Sequence, residues 1–182
     1  MPTDILRPGD DEFAPYYAGY IDQAARTMAA RGLSHVAQLL EAQRTECETL
    51  LRAVPEERAT YRYAPGKWTL AESLVHVTDT ERVFAYRLLR IARGDVTPLP
   101  GFEQDDWVPA SRAGQRTLAS ITRELLAVRT ATLELVDSLD AEALAQRGVA
   151  SGKAVSARAL VWMMAGHLAH HLTLTREQYL AS

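Results

Sequence analysis

The sequence predicts an all-α chain: a four-helix bundle with a long crossover between its second and third helices, and a short extra helix at the N-terminus. Three observations predict it. Four segments carry apolar residues in a seven-residue repeat, which lines one face of each helix in a bundle. No segment sustains the two-residue alternation of a half-buried strand, so no substantial sheet is expected. One connection is far longer than the two to eight residues that usually join bundle helices.

The first bundle helix is expected over residues 33–54, with Val36, Leu40, Gln43, Cys47, Leu50 and Val54 on one stripe. The second covers 69–93, through Leu70, Leu74, Val77, Glu81, Phe84, Leu88 and Ile91. The third covers 114–139, from Leu118 and Ile121 to Leu135 and Leu139. The fourth covers 156–180, with Leu160, Met164, His167, His171 and Leu174 facing inward. An amphipathic stretch at 16–30 makes the N-terminal helix or arm of residues 1–32. Thr69 and Glu72 have capping-box spacing, and Ser156 can cap the fourth helix. Gly94 suits the end of the second. Pro55 and Pro65 punctuate the first connection.

The crossover spans 94–113 and holds three prolines, Phe102 and Trp107. Fully extended it would reach roughly 65 Å, against about 37 Å for a 25-residue helix. It can therefore cross the whole bundle and leave the helices on either side parallel. Phe102 and Trp107 are expected to anchor it, either as a structural crossover or as a lid beside a site.

Composition bounds the function. The 182 residues suit one domain, 1–182, with a sizeable core. A net charge of −3 with both signs interspersed gives no basic groove for nucleic acid and no polybasic membrane patch. No apolar run reaches the length of a membrane span. Residues 1–12 are polar and acidic, unlike a signal peptide. Cys47 is the single cysteine, so no intrachain disulfide forms and a cytoplasmic location is expected. Its place on a core stripe makes it a small apolar filler.

Two histidines on the fourth helix's inward stripe carry the functional signal. His167 and His171 are four residues apart, one turn on the same face. Neutral imidazole is the commonest metal ligand, and a divalent ion is the simplest way to satisfy both. His35 has no partner nearby, and His170 is turned roughly 60–100° off the stripe. His76, on the second helix, remains. It lies roughly 11 Å into its helix, and His171 roughly 14 Å from the end of its own. The two are level if those helices run antiparallel, and about 9 Å out of register if parallel. Three histidines leave at least one coordination position open, the mark of a catalytic site.

Other polar residues are weaker candidates. Glu81 interrupts the second helix's apolar stripe and must be paired when buried. It is rotated about 140° from His76, so it reads as an acceptor for a loop backbone, an indole or an arginine. Asp79 shares His76's side of the helix and can orient a ligand or lie solvated. Arg82 and Arg87 are candidates for an anionic substrate group. There is no His-Glu-x-x-His, no Glu-x-x-His and no glycine-rich phosphate loop after a strand. Trp162, Met163 and Met164 read as core.

Taken together, YAPGKWTLAESLVHVTDTER (63–82), ARGD (92–95), PLPGFE (98–103) and GHLAHH (166–171) resemble the DinB/YfiT-like superfamily, in order, from about residue 61 to the end. The resemblance implies an up-down-down-up bundle and one divalent ion, variously zinc, nickel, manganese or iron, held by His76, His167 and His171. It leaves His170 out of the ligand set. It implies a homodimer, and chemistry like that of bacillithiol S-transferases or mycothiol-dependent isomerases, with a low-molecular-weight thiol as co-substrate. The expected function is a thiol transferase or hydrolase acting on a small electrophile in detoxification or stress response. The alternative is a metal-binding or structural stress protein without catalysis.

Overall fold

The computed structural model describes residues 4–181. The ends of the expected 1–182 domain, including the first three residues of the polar N-terminus, lie outside it. In chain order the elements are α1 (Ala18–Arg31), α2 (Val36–Arg52), α3 (Leu70–Ala92), α4 (Gln104–Ala110), α5 (Leu118–Asp137), α6 (Ala141–Ala145), β1 (Arg147–Ala150), β2 (Lys153–Ser156) and α7 (Ala157–Leu174). The four expected bundle helices are α2, α3, α5 and α7. Their capping follows the sequence. Thr69 accepts from the Glu72 amide at 3.1 Å while Glu72 accepts from the Thr69 amide at 2.7 Å. Ser156 accepts from the Ala159 amide at 3.0 Å. Gly94, at φ +77°, follows the end of α3.

Each of α2 and α3 packs against both α5 and α7. Ser73 meets His171 and His76 meets His167, so α3 and α7 are antiparallel. Glu56, just past α2, accepts from the Leu118 amide that opens α5, so α2 and α5 are antiparallel too. The pairs α3/α5 and α2/α7 run parallel: Leu70 and Leu74 share one apolar cluster with Leu118 and Ile121, and Leu88 shares another with Val136. This is the up-down-down-up order.

The two apolar clusters meet at mid-height, and a polar layer crosses the bundle there. Arg129 of α5 is buried and donates to Glu81 of α3 at 2.7 Å and to Gln43 of α2 at 3.2 Å. Gln43 in turn donates to the Ala165 carbonyl of α7 at 2.7 Å. One chain of hydrogen bonds thus joins all four helices. It answers the question of Glu81: its partner is an arginine.

The 94–113 segment does cross the bundle, but it is not bare loop. It contains α4, and Leu99 adds to the edge of the β1–β2 hairpin through Val149 and Ser151. Its anchors differ from expectation. Leu99 and Val108 are buried, whereas Phe102 and Trp107 stack on each other at 4.7 Å and Trp107 stays exposed. The hairpin is the only sheet among the described residues. Its strands are four residues each, too short to show alternation, and its turn is marked only by Ser151 and Gly152 at positive φ.

The N-terminal helix is more than an arm. It lies along α7 so closely that a Cβ on Gly166 would sit 1.8 Å from the Tyr20 carbonyl oxygen. With α1 on one side and the bundle on the other, α7 is buried on nearly every face, including Trp162, Met163 and Met164.

Removing one member of a buried ion pair costs about 3–5 kcal/mol, because the other charge is left uncompensated. Arg129→Met is expected to destabilise the protein by that order in urea unfolding. Arg129→Met combined with Glu81→Leu should recover most of the loss, and a single variant within about 1 kcal/mol of wild type would contradict the role given to this pair.

Candidate metal centre

His76 sits in the second turn of α3, and His167 and His171 on successive turns of α7. Antiparallel packing brings the three level, and all are buried. Ring centroids are 5.2, 5.2 and 4.6 Å apart, and one ring nitrogen of each lies within 4.8 Å of the other two. The Nε2 atoms of His76 and His167 are 3.2 Å apart. Ser73 Oγ lies 3.3 Å from His171 Nδ1 and Thr80 Oγ1 lies 3.5 Å from His76 Nδ1. Hydroxyls on the outer nitrogens orient imidazoles and fix their tautomers, as hydrogen-bonding groups do behind metal ligands. Trp68 lies over His76 at 4.7 Å, and Tyr20 and Phe84 meet His167 edge-on.

Burial sets the protonation of the cluster. It pushes His76 down to about 4, opposed by the negative charge of Asp105. It pushes His171 down to about 3, helped by His76 and His170. His167 falls well below its ordinary value, again through burial first and then its histidine neighbours. All three are neutral at pH 7 and offer lone pairs without first losing a proton. Ligand nitrogens on one tetrahedral ion, about 2.1 Å from each, stand roughly 3.4 Å apart. The 3.2 Å pair already has that separation. The donor set therefore fits a divalent ion of borderline softness. Among the described residues no cysteine, aspartate or glutamate joins the group.

Two cavities open onto it. One, of about 400 Å³, reaches His76 and His171 between Tyr63, Trp68 and Tyr179. The other, of about 360 Å³, reaches His76 and His167 past Thr80, Phe84 and Phe102. Tyr20, His76, Gln104 and Asp105 line both. Gln104 and Asp105 come from the first turn of α4, so the crossover forms part of the wall of both cavities. The Tyr179 hydroxyl donates to the Trp68 carbonyl at 2.8 Å and holds that wall in place.

The weaker candidates fall elsewhere. His170 is exposed and lines a cavity wall beside His171, outside the three-histidine group. Asp79 is bonded to Arg82, which also pairs with Glu124 at 2.6 Å, and all three lie away from both cavities. Arg87 is buried and committed to the Pro100 carbonyl and Ser151 hydroxyl, fastening the crossover to the hairpin. Sequence reasoning missed Tyr20, Gln104 and Asp105, which come from segments with no motif. One signal was present. Lys67 and Lys153 are the only lysines in the chain, and each lines one of the two cavities.

A histidine with a depressed folded pKa adds stability above its unfolded value, near 6.5, and loses it as pH falls towards the folded value. Between pH 6.5 and about 4 the unfolded chain takes up protons that His76 and His171 refuse. Metal-free protein is therefore expected to lose about 1.4 kcal/mol per histidine per pH unit across that window. Urea midpoints at pH 7, 6 and 5 should show it, and His171→Phe should flatten the slope. A slope the variant leaves unchanged would contradict the assignment.

Among curated proteins, no sequence matches this chain. Among solved structures, it is similar to YfiT from Bacillus subtilis, described as a probable metal-dependent hydrolase with an unusual four-helix bundle topology. That likeness has a TM-score of 0.69 at 13% identity, over 78% of this chain and 84% of the other. It is also similar to a mycothiol-dependent maleylpyruvate isomerase, with a TM-score of 0.62 at 15% identity, over 76% of this chain and 58% of that longer one. At such identities the likeness is one of fold. The sequence model of the DinB superfamily matches residues 39–174, three of whose histidines form the buried cluster, and the chain belongs to that superfamily.

Proposed function

We propose that this protein is a divalent-metal-dependent enzyme of small-molecule detoxification. His76, His167 and His171 hold one ion of zinc, nickel, manganese or iron, and a low-molecular-weight thiol attacks a small electrophile in the cavities beneath α4. Hydrolysis of a small substrate is the close variant. One observation carries the reading: three neutral, buried imidazoles converge, and the space beside them is open cavity rather than a fourth protein ligand. A closed metal store or a purely structural site would be plugged. The two similar structures, one described as a probable metal-dependent hydrolase and one as a mycothiol-dependent isomerase, support the same class.

The ion supplies Lewis acidity, which stabilises negative charge on a thiol sulfur or water oxygen at neutral pH. The chain supplies the rest. Neutral imidazoles leave the ion's charge undiminished. Ser73 and Thr80 keep the rings turned inward. Trp68 and Phe84 pack against His76 and His167 and keep water from that side of the rings, where fixed charges act more strongly than in water. Gln104 and Asp105 face the cavities from α4, and Asp105 is placed to accept a proton from a nucleophile entering between them. Lys67 and Lys153 offer positive charge to an anionic group on either co-substrate.

Protein purified without an affinity tag is expected to carry about one metal per chain by elemental analysis, and His171→Ala to lose it. A panel of bacillithiol, mycothiol, glutathione and cysteine against a generic electrophile should give a metal-dependent rate with at least one thiol. No uptake under any loading condition would overturn the metal assignment. Metal without any metal-dependent thiol or hydrolytic rate would return the protein to the non-enzymatic class.

A further inference from the structure

We infer that Tyr20 is a ligand-binding residue of the histidine centre, donating a hydrogen bond from its hydroxyl to a small anionic ligand seated there, and that α1 exists in part to present it. The inference rests on the metal-centre reading and adds a residue from outside the matched family segment, which begins at residue 39.

Position is the first argument. Besides the two cavities at the histidines, a third of about 380 Å³ lies between α1 and His170, walled by Tyr16, Gln23 and Arg26. Tyr20 alone lines all three. It stands where the outside groove passes to the centre. Its ring meets His167 edge-on at 5.4 Å, so it packs against a proposed ligand without being one.

The hydroxyl is the second argument. Among the described residues no group hydrogen-bonds to it, although Tyr20 is half-buried. The Tyr179 hydroxyl, on the wall of the first cavity, is by contrast committed to the Trp68 carbonyl. A donor kept at a cavity wall without a protein partner is suited to a ligand.

The third argument is how rigidly it is placed. A side chain on a loosely packed arm would be a poor binding group. Here the main chain of α1 rests directly on that of α7, because Gly166 has no Cβ to hold it off. Gly166 immediately precedes His167. The same contact that seats α1 therefore fixes Tyr20 against the ligand helix, at the turn that carries the ligand. The ligand class follows from the cation the three imidazoles would hold and from the phenol donor beside it: together they favour a thiolate or carboxylate, with Lys67 and Lys153 on the walls offsetting Asp105 and Glu103.

The test uses full-length protein loaded with cobalt(II) and titrated with azide as the probe anion, read by the visible absorption of the cobalt. Tyr20→Phe keeps the ring and removes the hydroxyl. It is expected to leave cobalt affinity unchanged and to weaken azide binding about tenfold or more, the scale of a lost hydrogen bond to a charged group. Gly166→Ala, which must push α1 away, should weaken azide at least as much. Azide binding equal to wild type in Tyr20→Phe would overturn the inference while leaving the metal reading intact. A wild-type protein that takes up no cobalt would overturn both.

Discussion

A buried arginine disciplines this bundle. Arg129 lies among apolar helices with its charge matched by Glu81, and its remaining reach is spent on Gln43, which ties on to the Ala165 carbonyl. Hydrophobic stripes alone would let four helices slide or rotate with little penalty, because apolar contact is non-directional. A charge that must meet its partner at 2.7 Å allows no such freedom. The register it imposes is the one the site needs. Glu81 is a turn and a half from His76 on α3, and Ala165 is two residues from His167 on α7. Fixing the first pair of positions fixes the second.

The same layer explains why the site is buried and neutral. The two apolar clusters close above and below it, so the histidines sit at the junction rather than in either cluster. Burial there strips three imidazoles of their protons, which suits them to bind a cation and costs the metal-free fold stability in acid. The layer carries other unrelieved costs. Among the described residues Glu81 Oε1 and Arg129 Nε find no partner, an arrangement a fold selected only for stability would replace with apolar side chains.

Much of this was legible in the sequence. The seven-residue repeats gave all four bundle helices, and the length of the crossover allowed α3 and α5 to run parallel, as they do. His76 emerged by elimination and helix arithmetic, because a ligand four residues from another on one helix needs a third at the same height. What stayed hidden is what short segments and long-range partners decide. A four-residue strand has no period to detect, and α4 is two turns with a proline near its end. Arg129 lies just off the stripe read for α5, and its charge suggests solvent until Glu81 is placed opposite. Asp79, Arg82 and Arg87 were attractive because they share a helix with His76, yet each is held by a partner away from the two cavities at the histidines. Helix membership fixes height but not what faces a residue across the bundle.

Gly166 shows how sequence and site are coupled. Inside a helix a glycine costs roughly 1 kcal/mol relative to alanine, and α7 is otherwise rich in alanine, leucine and methionine. That weakness is offset only where a second backbone occupies the space. Here it does, and the consequence runs outward: α7 becomes buried on its outer face, the N-terminal helix gains a seat, and a tyrosine reaches a cavity wall that the four bundle helices would leave open. The bundle level is set by a buried charge and the outer wall by a missing methyl group. Between these two constraints the three histidines have little choice of position, and the space left to a ligand is the gap that α1 and α4 enclose.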